Sequence, residues 1–179
     1  FVVDPIDGTR GFLDGLHSWC VSVAVVEDGR SLAGVLECPA KQETYWALPG
    51  EGAYVNGKRI HVRPLGHNVD IGGPKPLVDL MPEAWRDRLR RSAYIPSLAY
   101  RLAMIAAGKL DATFVKPSAH DWDIAAADLI LTEAGGALLD RGARPPRYAG
   151  EAISHGALAA GSGELLGVLT GVIAGLDEG

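Results

Sequence analysis

Two tight-turn dipeptides, Asp28-Gly29 and Asn56-Gly57, stand between runs of strand-forming residues, and they restrict the first third of this 179-residue chain to an antiparallel sheet. Both dipeptides tolerate the positive φ angles of a two-residue hairpin loop, so the chain on either side must return alongside itself. Residues 19–26 and 32–37 are the arms of the first hairpin, residues 43–47 add a strand, and residues 53–55 and 58–60 are the arms of the second. The expected product is a meander.

The character changes after Pro74. Pro82 opens a helix expected over residues 83–91, and Ser97 precedes an amphipathic run over 98–107 that Gly108 ends. Residues 110–115 read as a strand. A long helix is expected over 122–134, with Asp121 as its cap and Gly135-Gly136 as its stop. Short strands over 137–139 and 157–160 and a closing helix over 164–176 complete the pattern. Strands first, then helices alternating with strands, predict an α/β (α+β layered) fold. The expected organisation is one domain over 1–179, with the meander in 1–61 and an α/β part in 74–179.

Charge and composition narrow the function. A net charge of −5 argues against a nucleic-acid polymer as partner, because binding one requires a surplus of Lys and Arg. The basic stretch Arg86, Arg88, Arg90 and Arg91 falls in the helix expected over 83–91 and reads there as a solvated face. The longest apolar window, residues 165–176, is shorter than the roughly 20 residues a membrane helix needs, so it reads as a core helix and no membrane insertion is expected. Cys20 and Cys38 lie in strand-like runs without metal-ligand spacing, which fits buried reduced thiols and a cytoplasmic location. The chain opens without Met on Phe1-Val2-Val3, which reads as the end of a buried strand and marks the sequence as a fragment.

Chemistry concentrates in Asp4-Pro5-Ile6-Asp7-Gly8-Thr9. Two carboxylates three residues apart, with a proline fixing the backbone between them, can face a common point and hold hard cations through oxygen. Gly8 lets the chain turn closely past a ligand, and a helix starting near Thr9 aims its first N–H groups at an anion. A solvated turn capped by Asp4 and Asp7 is the alternative for an isolated D-x-x-D.

The six residues resemble the signature of the inositol monophosphatase superfamily. A second block agrees with it, His120-Asp121-Trp122-Asp123-Ile124-Ala125-Ala126-Ala127 continuing through Glu133-Ala134-Gly135-Gly136. The resemblance implies an inositol monophosphatase-like sugar-phosphatase fold with its N-terminal part missing, and a site with two or three Mg²⁺ ions. Asp4 would bridge two metals, the Ile6 carbonyl would bind one of them, and Asp7 and Asp123 the other. Gly8 and Thr9 would hold the phosphate, and the Thr9 hydroxyl would orient the attacking water. Ser97 stands where the family has a substrate-contacting Gly-Ser, although Pro96 replaces the Gly. A metal-binding Glu segment that the family carries upstream is absent, so the fragment alone is expected to bind metal weakly. Trp122 reads as a packing residue, His120 as a structural or ligand-orienting one, and Asp128 and Glu133 as ordinary carboxylates. Lithium inhibition and a homodimer also follow from the resemblance.

Lys116 occupies the place where inositol-selective members carry an acidic residue, and a cation there suits a substrate with a second negative group. Together with the wording of the second block, it resembles bacterial 3′(2′),5′-bisphosphate nucleotidases, so removal of the 3′-phosphate of adenosine 3′,5′-bisphosphate is the expected reaction. Inositol 1-phosphate, or a related sugar or histidinol phosphate, is the alternative substrate. The alternative of another class is a non-catalytic interaction module with a degenerate site.

Overall fold

The meander forms as expected. In the computed structural model, which describes residues 1–176, β1 (Val2–Asp7) leads into a short helix, α1 (Thr9–Leu13). Five strands follow: β2 (Cys20–Glu27), β3 (Arg30–Cys38), β4 (Glu43–Leu48), β5 (Gly52–Val55) and β6 (Lys58–Ile60). With β1 they make a six-stranded antiparallel sheet in sequence order. Both turn dipeptides take positive φ at each residue, 51° and 78° at Asp28-Gly29 and 49° and 77° at Asn56-Gly57. Period-two alternation then turns Cys20, Ser22, Ala24, Leu36, Cys38, Tyr45 and Ala47 to one buried face. At the opening, Val2 is half-buried against the core, but Phe1, just before the strand, is 93% exposed and Val3 48% exposed, so the expected buried strand end is buried on one face only.

The second half contains β7 (Val69–Gly72), α2 (Lys75–Val78), α3 (Glu83–Arg86), β8 (Leu89–Arg91), α4 (Leu98–Ala106), β9 (Ala112–Val115) and β10 (Ala119–His120). It continues with α5 (Asp121–Glu133), β11 (Ala137–Asp140), β12 (Ser154–His155), β13 (Leu158–Gly161) and α6 (Gly163–Ala174). A second sheet has the order β11-β13-β9-β7-β8, with β9, β7 and β8 mutually parallel and the other pairings antiparallel. The helix expected over 83–91 is corrected to one turn followed by a strand. Val69, Asp70 and Ile71 offer a free parallel edge to Leu89, Arg90 and Arg91, and that pairing overrides local helix preference.

Helices α4 and α5 lie between the two sheets, and α6 covers the far face of the second. Helix α5 is buried from Ile124 through Leu131, and its three successive alanines let the meander approach closely. A Cβ added at Gly34 on β3 would come within 2.7 Å of the Ala126 carbonyl oxygen. Small residues on both sides therefore set the spacing between sheet and helix.

Candidate metal and anion site

In a regular strand, residues three apart point to opposite faces. Strand β1 escapes this through a register shift: Asp4 pairs with Ser22 but Asp7 with Cys20, so β1 carries an extra residue around Pro5 and Ile6. A proline lacks the ladder donor, and the bulge re-aims the following carboxylate. Asp4 Oδ1 accepts from the Ile6 N–H at 2.9 Å and holds the bulge in shape. Gly8 follows with φ of 86°, and a Cβ there would lie 3.0 Å from Ser97, so glycine is required on both counts.

Asp123 reaches the same point from the first turn of α5. One carboxylate oxygen from each of Asp4, Asp7 and Asp123 lies within 4.8 Å of the others, although Asp123 is more than a hundred residues away in sequence. Asp123 also accepts from the His120 N–H at 2.7 Å, which makes His120 the N-cap of α5. The cap expected at Asp121 is corrected accordingly. Asp121 is buried and accepts instead from the Ala149 N–H at 2.7 Å, with His155 Nε2 2.7 Å from its other oxygen, so it ties the 149–155 segment to the start of α5. The His120 ring stacks on Trp122 with centroids 4.4 Å apart.

Asp7 is the deepest of the three. Its Oδ2 accepts from the Ser97 hydroxyl and from the Ala99 N–H, the latter at 2.8 Å, so the start of α4 grips it. Burial pushes its pKa up to about 7 against those hydrogen bonds, and the charges of Asp4 and Asp123 push the same way. Asp4 is also raised, by burial first and with a contribution from Asp123. Carboxylates that raise one another's pKa form an oxygen-rich donor set short of positive charge, which fits a hard divalent cation such as Mg²⁺.

Ser97 is fully buried, and its hydroxyl serves Asp7 and accepts from the Tyr100 N–H. Its side chain faces the carboxylate rather than open space. The Thr9 hydroxyl donates to the Ile6 carbonyl oxygen at 2.9 Å, which brings both candidate groups together. Cys20 and Cys38 are buried and free, with Cys20 Sγ 3.5 Å from Ser97 Oγ. Asp128 and Glu133 have structural work: Asp128 accepts from the Tyr148 hydroxyl at 2.6 Å, and Glu133 accepts from the N–H groups of Gly50 and Gly52.

Asp7 and Asp123 line a cavity of about 490 Å³. Lys116 lines it, and so do Arg91, Arg101, Ser92, Tyr94 and Ser118. The sequence reading missed Arg91 and Arg101. Arg91 was hidden by the helix expected over 83–91, but Arg101 carried a signal: four residues after Ser97, it shares that residue's helix face.

The layers thus bring an acidic cluster of three aspartates next to a cavity lined by Arg91, Arg101 and Lys116. The chain belongs to the inositol monophosphatase family: residues 1–174 match the sequence profile of the Inositol monophosphatase family. It is 38% identical over 144 residues to a fructose-1,6-bisphosphatase/inositol-1-monophosphatase of Thermotoga maritima, covering 78% of this chain and 56% of the relative. It is 34% identical over 178 residues to a histidinol-phosphatase of Mycobacterium tuberculosis, covering 88% and 65%. The fold superposes on an IMPase structure from Thermotoga maritima with a TM-score of 0.80 and 32% identity, covering 96% of this chain and 67% of that one. The chain thus spans 56% and 65% of the length of these two relatives.

Proposed function

We propose that the full-length protein is a Mg²⁺-dependent phosphate monoester hydrolase. The observation that carries this reading is the convergence of Asp4, Asp7 and Asp123, two of which, Asp7 and Asp123, line a cavity together with the cationic side chains of Arg91, Arg101 and Lys116. The three carboxylates and the Ile6 carbonyl would hold the metal, two or three ions in all. Bound there, Mg²⁺ would acidify water and neutralise phosphoryl oxygens. Gly8 and Thr9 would hold the phosphate through their N–H groups. Because the Thr9 hydroxyl donates to the Ile6 carbonyl, its oxygen is left to accept a hydrogen bond from water and so to orient it. Ser97 supports the site by fixing Asp7.

For the ester, the names of the relatives favour inositol 1-phosphate, histidinol phosphate and fructose 1,6-bisphosphate. Adenosine 3′,5′-bisphosphate rests on Lys116 and the wording of the second block, and it stands behind them. Two buried free cysteines support a cytoplasmic location, while lithium inhibition and a homodimer rest on the family resemblance. A non-catalytic module would have no use for three converging carboxylates without an ion pair to Lys or Arg among the described residues, which makes it the weaker alternative. Phosphate release by the full-length protein, measured with and without Mg²⁺ on each of these esters, tests the reading. Release that persists in EDTA, or none on any ester, would overturn it.

A further inference from the structure

The strands β8, β7 and β9 run parallel, and their carboxyl ends open on the same cavity as Asp7 and Asp123. Ligands of open α/β sheets lie characteristically in the crevice outside such ends. Arg91 is the last residue of β8, Gly73 follows β7, and Lys116 follows β9; all three line the cavity. Gly73 keeps the crevice floor low, with φ of 107° and no room for a Cβ, which would lie 2.6 Å from the Phe114 carbonyl oxygen.

Arg101 enters from α4. Its stem lies against β7, since a Cβ at Gly72 would come 3.1 Å from Arg101 Cδ. Among the described residues, Arg101 Nε is the one buried side-chain nitrogen or oxygen without a hydrogen-bond partner. The neighbouring Asp7 takes its recorded hydrogen bonds from Ser97 and Ala99 instead. Buried donors in native proteins nearly always find an acceptor, so an unpaired guanidinium N–H beside a cavity points to an acceptor that arrives with the ligand. Among the described residues, the carboxylates lining the cavity, Asp7 and Asp123, both belong to the acidic cluster.

We propose that Arg101, with Arg91 and Lys116, forms an anion subsite that selects phosphate esters bearing a second phosphate group, an inference that rests on the phosphatase reading above. The forked guanidinium matches phosphate oxygens, and a neutral polyol in the same place would leave three cations unanswered. Arg101 is therefore a specificity-determining residue.

The test uses the full-length protein and substrates that differ by one phosphate: fructose 1,6-bisphosphate against fructose 1-phosphate, and adenosine 3′,5′-bisphosphate against adenosine 3′-monophosphate. The wild type should prefer the bisphosphate of at least one pair. Arg101→Gln should lower kcat/KM for that bisphosphate by about 10- to 100-fold and for its monophosphate by less than about threefold, as expected for one charge-assisted contact. Arg101→Lys should recover part of the loss, and Lys116→Gln, at an exposed position, should erode the same preference without risk to the fold. An equal loss on both members of a pair would make Arg101 a counter-charge for Asp7 and overturn the subsite, as would the absence of any wild-type preference. If nothing is hydrolysed, calorimetric binding of the same pairs decides. A bisphosphate preference erased by Arg101→Gln upholds the subsite while the phosphatase reading falls, and equal or absent binding overturns the subsite.

Discussion

The molecule has two acidic clusters that look alike in composition and differ in how their charge is balanced. Asp70 on β7 and Asp111 just before β9 meet at Arg63, which donates to Asp111 at 2.6 and 2.7 Å and to Asp70 at 2.5 Å. Asp111 also accepts from the Asp70 N–H at 2.7 Å, so this cluster is complete within the protein. Asp4, Asp7 and Asp123 make no ion pair to Lys or Arg among the described residues; Arg101 acts on Asp7 only through longer-range charge. Burial and mutual repulsion raise the pKa of Asp4 and Asp7 instead. A cluster with its own cation is balanced within the fold, whereas one without it has the charge deficit that the proposed metal site would fill.

Substitutions should separate the two sharply. Asp123→Asn or Asp7→Asn should reduce Mg²⁺-dependent phosphate release by the full-length protein by at least about 100-fold, since each removes a cation ligand, while the melting temperature holds or rises. Steady-state kinetics beside a melting curve checks both halves; unchanged turnover would remove the metal assignment. Asp111→Ala should do the reverse. It strands the Asp70 N–H and half of the Arg63 fork, and should cost about 2 kcal/mol in denaturant unfolding with little change in turnover per folded molecule.

The pH dependence of stability sharpens the contrast. The folded-state pKa of Asp7, about 7, lies above its ordinary value, so its contribution to stability is full at low pH and lost as pH rises through about 7. Asp128, raised to about 6 by burial, acts in the same direction. The ion-free protein should therefore melt higher at pH 6 than at pH 8. Mg²⁺ requires the ionised carboxylate, so it should raise the melting temperature more at pH 8 than at pH 6, and Asp7→Asn should flatten that difference. Calorimetry with and without Mg²⁺ reads it; a Mg²⁺ effect larger at pH 6 would contradict the assignment. The smallest effect belongs to Asp70→Asn: this side chain is 40% exposed, and its loss should shift stability by about 0.5 kcal/mol in the same unfolding assay.

The acidic cluster was legible because its carboxylates lie in two short motifs, with Pro5, Gly8 and the start of α5 written beside them. The arginine half of the cavity was less so. Arg91 reaches it only because an edge of β7 draws 89–91 into a strand, and nothing local in that segment opposes a helix. Ser97 was visible as a helix start, but its attachment to Asp7, 90 positions away, was not.

The hairpin turns and the span of α5 followed from the sequence because each depends on neighbours a few bonds away: positive φ at aspartate, asparagine and glycine, the period of buried residues, a glycine pair that ends the helix. The bulge that turns Asp4 and Asp7 to the same side, the cap at His120 rather than Asp121, and the place of Arg101 in the cavity lining with its Nε unpaired were decided by packing. Each arises where segments distant in the chain compete for the same space and the same hydrogen-bond partners, and that competition is settled only when the layers close.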